Sequence, residues 1–140
     1  VETSAGLSRT LLVVLADAYH EEEVEGETRV VLKLEPELAP LHAAVFPLVK
    51  KDGMPEIAEK LAADLRGAFN VLHDVSGSIG KRYRRQDEAG TPFCLTIDGQ
   101  TTEDDTVTVR DRDTLEQVRV PLNSVAAHLG AALGGGHRGA

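Results

Sequence analysis

Seven apolar residues stand side by side in Ala43-Ala-Val-Phe-Pro-Leu-Val49. A stretch this short falls far below the ~20 residues of a membrane-spanning helix. It does not alternate with polar residues, so it has no face to give to water. That pattern reads as a strand buried on both sides, which requires a covering layer above and another below. Pro47 has no N–H to donate, so an irregularity is expected inside the run.

The neighbouring patterns supply the layers. Ser8 to Tyr19 reads as a helix, with Leu11, Leu15 and Tyr19 at four-residue steps. Arg29 to Leu34 is a short strand, set off by Pro36 and Pro40. Pro55 sits where a first helical turn tolerates proline, and Ile57, Leu61, Leu65 and Phe69 then form a stripe to about Phe69. Asn70 to Val75 is a strand. Ser76-Gly-Ser78 leads into a helix that runs to Ala89, where Gly90 and Pro92 end it. Phe93 to Asp98 is a strand. Asp105 to Arg110 and Glu116 to Val120 form a hairpin with its turn around Asp111 to Thr114. Asn123 or Ser124 caps a last helix carrying Val125, Leu129 and Leu133. Alternating strands and helices predict parallel strands joined by crossover helices. The hairpin adds one antiparallel strand. The expected fold is α/β, a three-layer sandwich with a five-stranded mixed sheet between helices.

The remaining segments divide the chain. Glu21 to Glu27 holds five acids and reads as the start of an exposed connector over residues 21–40. Glu103-Asp-Asp105 reads as a solvated loop. Residues 41–133 form the main domain, and Gly134-Gly-Gly136 opens an expected disordered tail over 134–140. The single Cys94 excludes an internal disulfide and reads as a buried thiol. His20, His42, His73, His128 and His137 show no metal-ligand spacing. No signal peptide is legible at the start, so a soluble, cytoplasmic protein is expected. The chain opens without methionine, which implies a piece of a longer protein.

The net charge is -8, yet four of the five residues from Lys81 to Arg85 are basic. Around Tyr83, that helix presents Lys81, Arg82, Arg84 and Arg85. As a bare charge run this is a solvated, salt-bridged helix, with Asp87 and Glu88 partnering Arg84. Equally, it is the electrostatic footprint of a phosphate-rich partner. Gly77-Ser-Ile-Gly80 lacks the spacing of a phosphate-binding Walker loop and serves as a simple cap or aims N–H groups at a phosphate. Thr106-Val-Thr-Val-Arg-Asp-Arg-Asp113 puts Val107 and Val109 on one face and Thr108 and Arg110 on the other, with Arg112 joining them if the strand continues. Such alternation is surface salt bridging, or it reads bases: arginine donates to ring and carbonyl acceptors, and aspartate accepts from an exocyclic amine.

These stretches carry a resemblance. Val45-Phe-Pro-Leu-Val-Lys-Lys51, Gly77 to Arg85, Asp87-Glu-Ala-Gly-Thr-Pro-Phe93, Asp105 to Thr114 and Glu116-Gln-Val-Arg119 resemble the C-terminal anticodon-binding domain of class II glycyl-tRNA synthetases of the dimeric type. The likeness runs from about Arg29 to Leu133. Val1-Glu-Thr-Ser-Ala-Gly-Leu-Ser-Arg9 is similar to the end of the family's catalytic motif 3, with Thr3 where proline is usual. The resemblance implies that residues 1–20 close a catalytic domain, with Arg9 matching an ATP-contacting arginine. It implies tRNA(Gly) as partner, read at the anticodon loop, whose last two bases are cytosines. It further implies ATP and Mg2+ as requirements of the full homodimeric enzyme. This stretch alone is expected to need no cofactor and to be catalytically inactive. Lys81, Arg82 and Arg85 are then expected at phosphates or the loop, Tyr83 at a stacked base or in the core, and Arg110, Asp111 and Arg112 at base edges. An accessory or protein-interaction module that keeps the fold without reading an anticodon is the alternative. A metabolite-binding or enzymatic α/β domain is a third reading.

Overall fold

A computed structural model describes residues 3–134. Helix α1 (Leu7–Ala18) leads into a hairpin, β1 (Tyr19–Val24) and β2 (Glu27–Leu32). There follow β3 (Ala43–Pro47), α2 (Met54–Leu65), β4 (Val71–His73), α3 (Ile79–Ala89) and β5 (Phe93–Ile97). The described residues end with α4 (Thr101–Asp104), β6 (Thr106–Asp111), β7 (Gln117–Pro121) and α5 (Val125–Gly134). The five-stranded sheet has the order β4-β3-β5-β6-β7. β3 runs parallel to both β4 and β5, and β6 is antiparallel to its neighbours β5 and β7. The expected mixed sheet, with one antiparallel strand, is therefore present. None of the described helices is long and apolar enough to cross a membrane.

The apolar run behaves as its composition demands. Ala43 and Val45 face a core built with Met54, Ala58, Leu61, Ala62 and Leu65 of α2 and Val125, Leu129 and Leu133 of α5. Ala44 and Phe46 face the opposite side, where Cys94, Ile79 and Tyr83 of α3 meet them. Two-sided burial of β3 and β5 fixes both outer layers. Burial also pushes the Cys94 thiol up to about 12, consistent with an inert side chain. Pro47 causes no kink inside the strand, because β3 ends there and the next N–H, that of Leu48, donates to Ile97.

Three expectations need correction. The acidic run Glu21 to Glu27 is no simple connector: most of it is the hairpin β1–β2, turned by Glu25 and Gly26, both at positive φ. The charge run concealed an alternation, since Glu22 pairs with Arg29 directly across the ladder and also with Lys33. Helix α2 stops at Leu65, not Phe69; Arg66 to Phe69 fold back as a turn, though Phe69 still reaches the core. The acids Glu103 and Asp104 belong to the short helix α4, not a loop. The expected tail lies outside the described residues apart from Gly134, which closes α5. Val1 and Glu2 of the motif 3 stretch lie outside them too.

Gly90 sets how closely the hairpin approaches α3. It caps α3 at φ 81, a left-handed conformation that side chains resist. A Cβ there would lie 2.9 Å from the Leu34 side chain and 3.1 Å from the Leu32 carbonyl. Gly90→Ala should therefore destabilise the fold by roughly 1–3 kcal/mol. Urea denaturation measures this, and a loss below about 0.5 kcal/mol, the size of an ordinary surface change, would contradict the packing described.

Candidate functional site

Helix α3 carries the basic run, but its side chains divide by face. Ile79 and Tyr83, four residues apart, turn to the sheet. Arg82, Gln86 and Asp87 are buried with them. Lys81, Arg84 and Arg85 remain exposed. Arg84 pairs with Glu27 at the tip of the hairpin at 2.8 Å. Arg85 pairs with Asp74 at 2.6 Å and also donates to the Ser76 carbonyl. Burial alone would raise the Asp74 carboxyl, but the Ser76 hydroxyl and N–H, with Arg85, hold it down at about 2.

Of the four arginines expected to face RNA, Arg85 stays exposed, whereas Arg82, Arg110 and Arg112 turn inward and are not on an exposed surface. Arg82 is 3% exposed. It donates to the carbonyls of Ser76, Pro47 and Gly77 at 3.3, 2.5 and 2.9 Å, stapling the end of β3 to the loop before α3. Arg112 is 2% exposed, because β6 ends at Asp111 and the next side chain drops into the interior. There it donates to the carbonyls of Gly90 and Leu34 at 2.8 and 2.7 Å and to Asp113. Arg110, 9% exposed, donates from both terminal nitrogens to Asp87 at 2.9 and 3.1 Å. The other Asp87 partner is Arg29 of the hairpin, at 2.9 Å. Asp111 accepts from the N–H groups of Asp113 and Thr114, shaping the β6–β7 turn. A count of charges along the sequence does not separate these roles, because the partners that bury Arg82 and Arg112 are mainly backbone carbonyls from other segments.

This network locks Tyr83. The Arg110 guanidinium lies 4.9 Å above its ring, a cation–π contact. Phe46 meets it edge-on, with centroids 5.7 Å apart. Its hydroxyl shares a 2.6 Å hydrogen bond with Thr96 Oγ1. Burial pushes the phenol up, so it stays neutral.

Beyond Tyr83 the sheet face is open. Helix α3 lies over β3 to β5, leaving the polar face of β6 and β7 partly bare. A cleft of about 240 Å³ is lined there by Leu48, Ile79, Tyr83, Thr96, Asp98, Thr108 and Gln117. Behind it, Arg119 donates to Asp98 and Thr108 at 2.8 Å each and to Thr106 Oγ1 at 2.9 Å. Burial would raise Asp98, but hydrogen bonds from Thr101 and Arg119, with the Arg119 charge, hold its carboxyl below the usual range. It is an anion facing the cleft. Sequence reasoning missed Asp98, Gln117 and Arg119 as site residues. The signal was present: Thr108 lies opposite Arg119 and Arg110 opposite Gln117, so period-two alternation puts all four on the face away from Val107 and Val109.

Arg9 is exposed on α1 and does not line this cleft. Among the described residues no group of three or more His, Cys, Asp or Glu is placed to hold a metal ion.

The family model described as anticodon binding domain matches residues 42–131. The chain is 54% identical to the glycine--tRNA ligase of Rhodopirellula baltica over an alignment of 134 positions that covers 92% of this chain and 25% of that protein. Identity to the ligase of Corynebacterium glutamicum is also 54%, covering 95% of this chain and 30% of the relative. For the Caldanaerobacter subterraneus ligase it is 55%, covering 92% and 28%. The chain thus spans less than a third of these relatives' length. Among solved structures, prolyl-tRNA synthetase from Cryptosporidium parvum, with L-proline and AMP, superimposes with a TM-score of 0.70 at 20% identity, covering 76% of this chain and 24% of that one.

The Asp87 carboxylate compensates two buried cations. Replacing Asp87 by alanine strands Arg29 and Arg110 inside the protein, and such losses cost about 3–5 kcal/mol. Chemical denaturation of Asp87→Ala should show a fall of that order; a loss under about 1 kcal/mol, typical of an exposed pair, would contradict the structural role.

Proposed function

Because this chain belongs to the anticodon-binding domain family, we propose that it binds the anticodon loop of tRNA(Gly) as part of a glycine--tRNA ligase. The observation that best supports this reading is the open cleft beside Tyr83, lined by both apolar and polar side chains, on the same side of the sheet as the exposed cations of α3. Single-stranded RNA offers two things to such a surface, a phosphate chain and splayed bases. Lys81 and Arg85 meet phosphates at the rim. Tyr83 supplies a rigid aromatic edge next to the bases. Arg82, Arg110 and Arg112 act from behind, holding the loop, ring and turn in place, and Asp111 shapes the turn they adjoin.

The remaining parts of the reading follow the ligase relatives. The whole protein joins glycine to tRNA in the cytoplasm with ATP and Mg2+, and works as a homodimer. Residues 1–20 belong to its catalytic part, where Arg9 contacts ATP phosphate. The exposed leucines of α1, Leu7 at 86% and Leu12 at 67%, support a helix that rests on another body. Residues 41–133 form the tRNA-binding domain, and the hairpin β1–β2 closes over its α3.

Titrating the chain with tRNA(Gly) transcripts tests the reading. Native transcript should bind tighter than transcripts altered at the second or third anticodon base. Lys81→Ala should weaken all of them alike and lower the salt slope by about 1. Equal affinity for tRNA(Gly), its anticodon variants and an unrelated tRNA would contradict it.

A further inference from the structure

We infer that the gap between the hairpin tip and α3 is a phosphate site, in which the Glu27 carboxylate occupies Arg84 until a phosphodiester of the bound RNA replaces it. The inference rests on the RNA-binding reading above. It adds a contact, Arg84, that the reading does not use, and it gives the acidic hairpin a restraining role.

The charges around this gap carry the argument. Its volume is about 190 Å³, far above the ~15 Å³ that admits one water. Its charged lining is three arginines, Arg29, Arg84 and Arg110, against three carboxylates, Glu25, Glu27 and Asp87. The buried Asp87 holds Arg29 and Arg110. Arg84 is the arginine of the lining that can change partners. Its side chain is 59% exposed and that of Glu27 76%, and one hydrogen bond of 2.8 Å joins them. Among the described residues, the Glu27 carboxylate accepts from no other side chain. With Glu27 turned out into solvent, the lining is left with a net positive charge and attracts an anion.

Arg85, the next residue, shows what a fixed pair looks like. Its partner Asp74 is only 15% exposed and also accepts from the Ser76 N–H and hydroxyl, at 2.8 and 2.6 Å. Asp74 therefore stays in place when a phosphate approaches. Glu27 has no such anchor. An exposed carboxylate–arginine pair contributes little, whereas a guanidinium meets two phosphate oxygens at once through charge-assisted bonds. Exchange on Arg84 thus runs toward phosphate. The hairpin backbone need not move, because Arg29 ties β2 to Asp87; the Glu27 side chain alone rotates. Tyr83 lines this gap as well as the cleft on its other side. The backbone of a strand with a base beside Tyr83 therefore runs past Arg84. Such a contact positions the strand and is blind to its sequence.

The test titrates the full 140-residue chain with tRNA(Gly) and its anticodon variants over a range of salt concentrations. Glu27→Gln keeps the side-chain shape and removes the charge. It should tighten every transcript alike by about two- to fivefold and steepen the salt slope by up to about 0.7. Arg84→Ala should weaken every transcript alike, and in that background most of the gain from Glu27→Gln should disappear. Glu23→Gln removes a hairpin charge that does not line the gap and should give a clearly smaller gain. Unchanged or weaker binding by Glu27→Gln would overturn the inference. So would a full gain that persists without Arg84, or an equal gain from Glu23→Gln, since either makes the effect one of overall charge. These results leave the RNA-binding reading standing where anticodon discrimination is seen. Failure to bind any tRNA would overturn that reading, and this inference with it.

Discussion

One buried carboxylate organises the functional side of this domain. Asp87, on α3, receives Arg29 from the hairpin and Arg110 from β6. Three elements far apart in sequence therefore meet at a single side chain. Removing such charges from water is costly, and the paired geometry and added hydrogen bonds offset that cost. Arg29 reaches on to Glu22 and the Arg112 carbonyl, and the Arg110 guanidinium lies over the Tyr83 ring. The hairpin, the helix and the aromatic edge of the cleft are thus held as one body. A base-binding surface needs that rigidity, since a loosely held ring gives up affinity when it is ordered on binding.

The same network reconciles an acidic chain with the RNA-facing surface proposed for it. Most arginines of the basic motifs are structural cations, neutralised inside the protein. What remains outside is modest: Lys81, Arg85 partly held by Asp74, and Arg84 held by Glu27. Such a surface attracts phosphate weakly at long range and depends on base contacts for discrimination. An anionic Asp98 inside the cleft fits that division, because it repels phosphate and carbonyl oxygens and accepts from amines.

The scaffold was legible because burial leaves strong marks. The uninterrupted apolar run of β3, the leucine stripe of α2 and the Gly90 stop of α3 each follow from local physics. The hairpin was hidden because its acids looked like a solvated run, when Glu22 is in fact a cross-strand partner of Arg29. The site was half legible. Tyr83 and its helix stood out by charge, but charge cannot tell an arginine bonded to carbonyls, such as Arg82, from one that greets a ligand. Asp98 and Arg119 were invisible for the converse reason: they lie 21 residues apart and meet only once β5, β6 and β7 are in register.

The central claim is that RNA bases enter the open sheet face beside a Tyr83 held by the Asp87 network. Amide and side-chain NMR shifts of the chain, followed as an anticodon stem-loop of tRNA(Gly) is added, test it most directly. The account predicts the largest changes at Thr96, Asp98, Thr108 and the Gln117 side-chain amide, with Lys81 at the margin and α2 and α5 unmoved. Changes centred on α2 and α5, with the cleft unaffected, would contradict it.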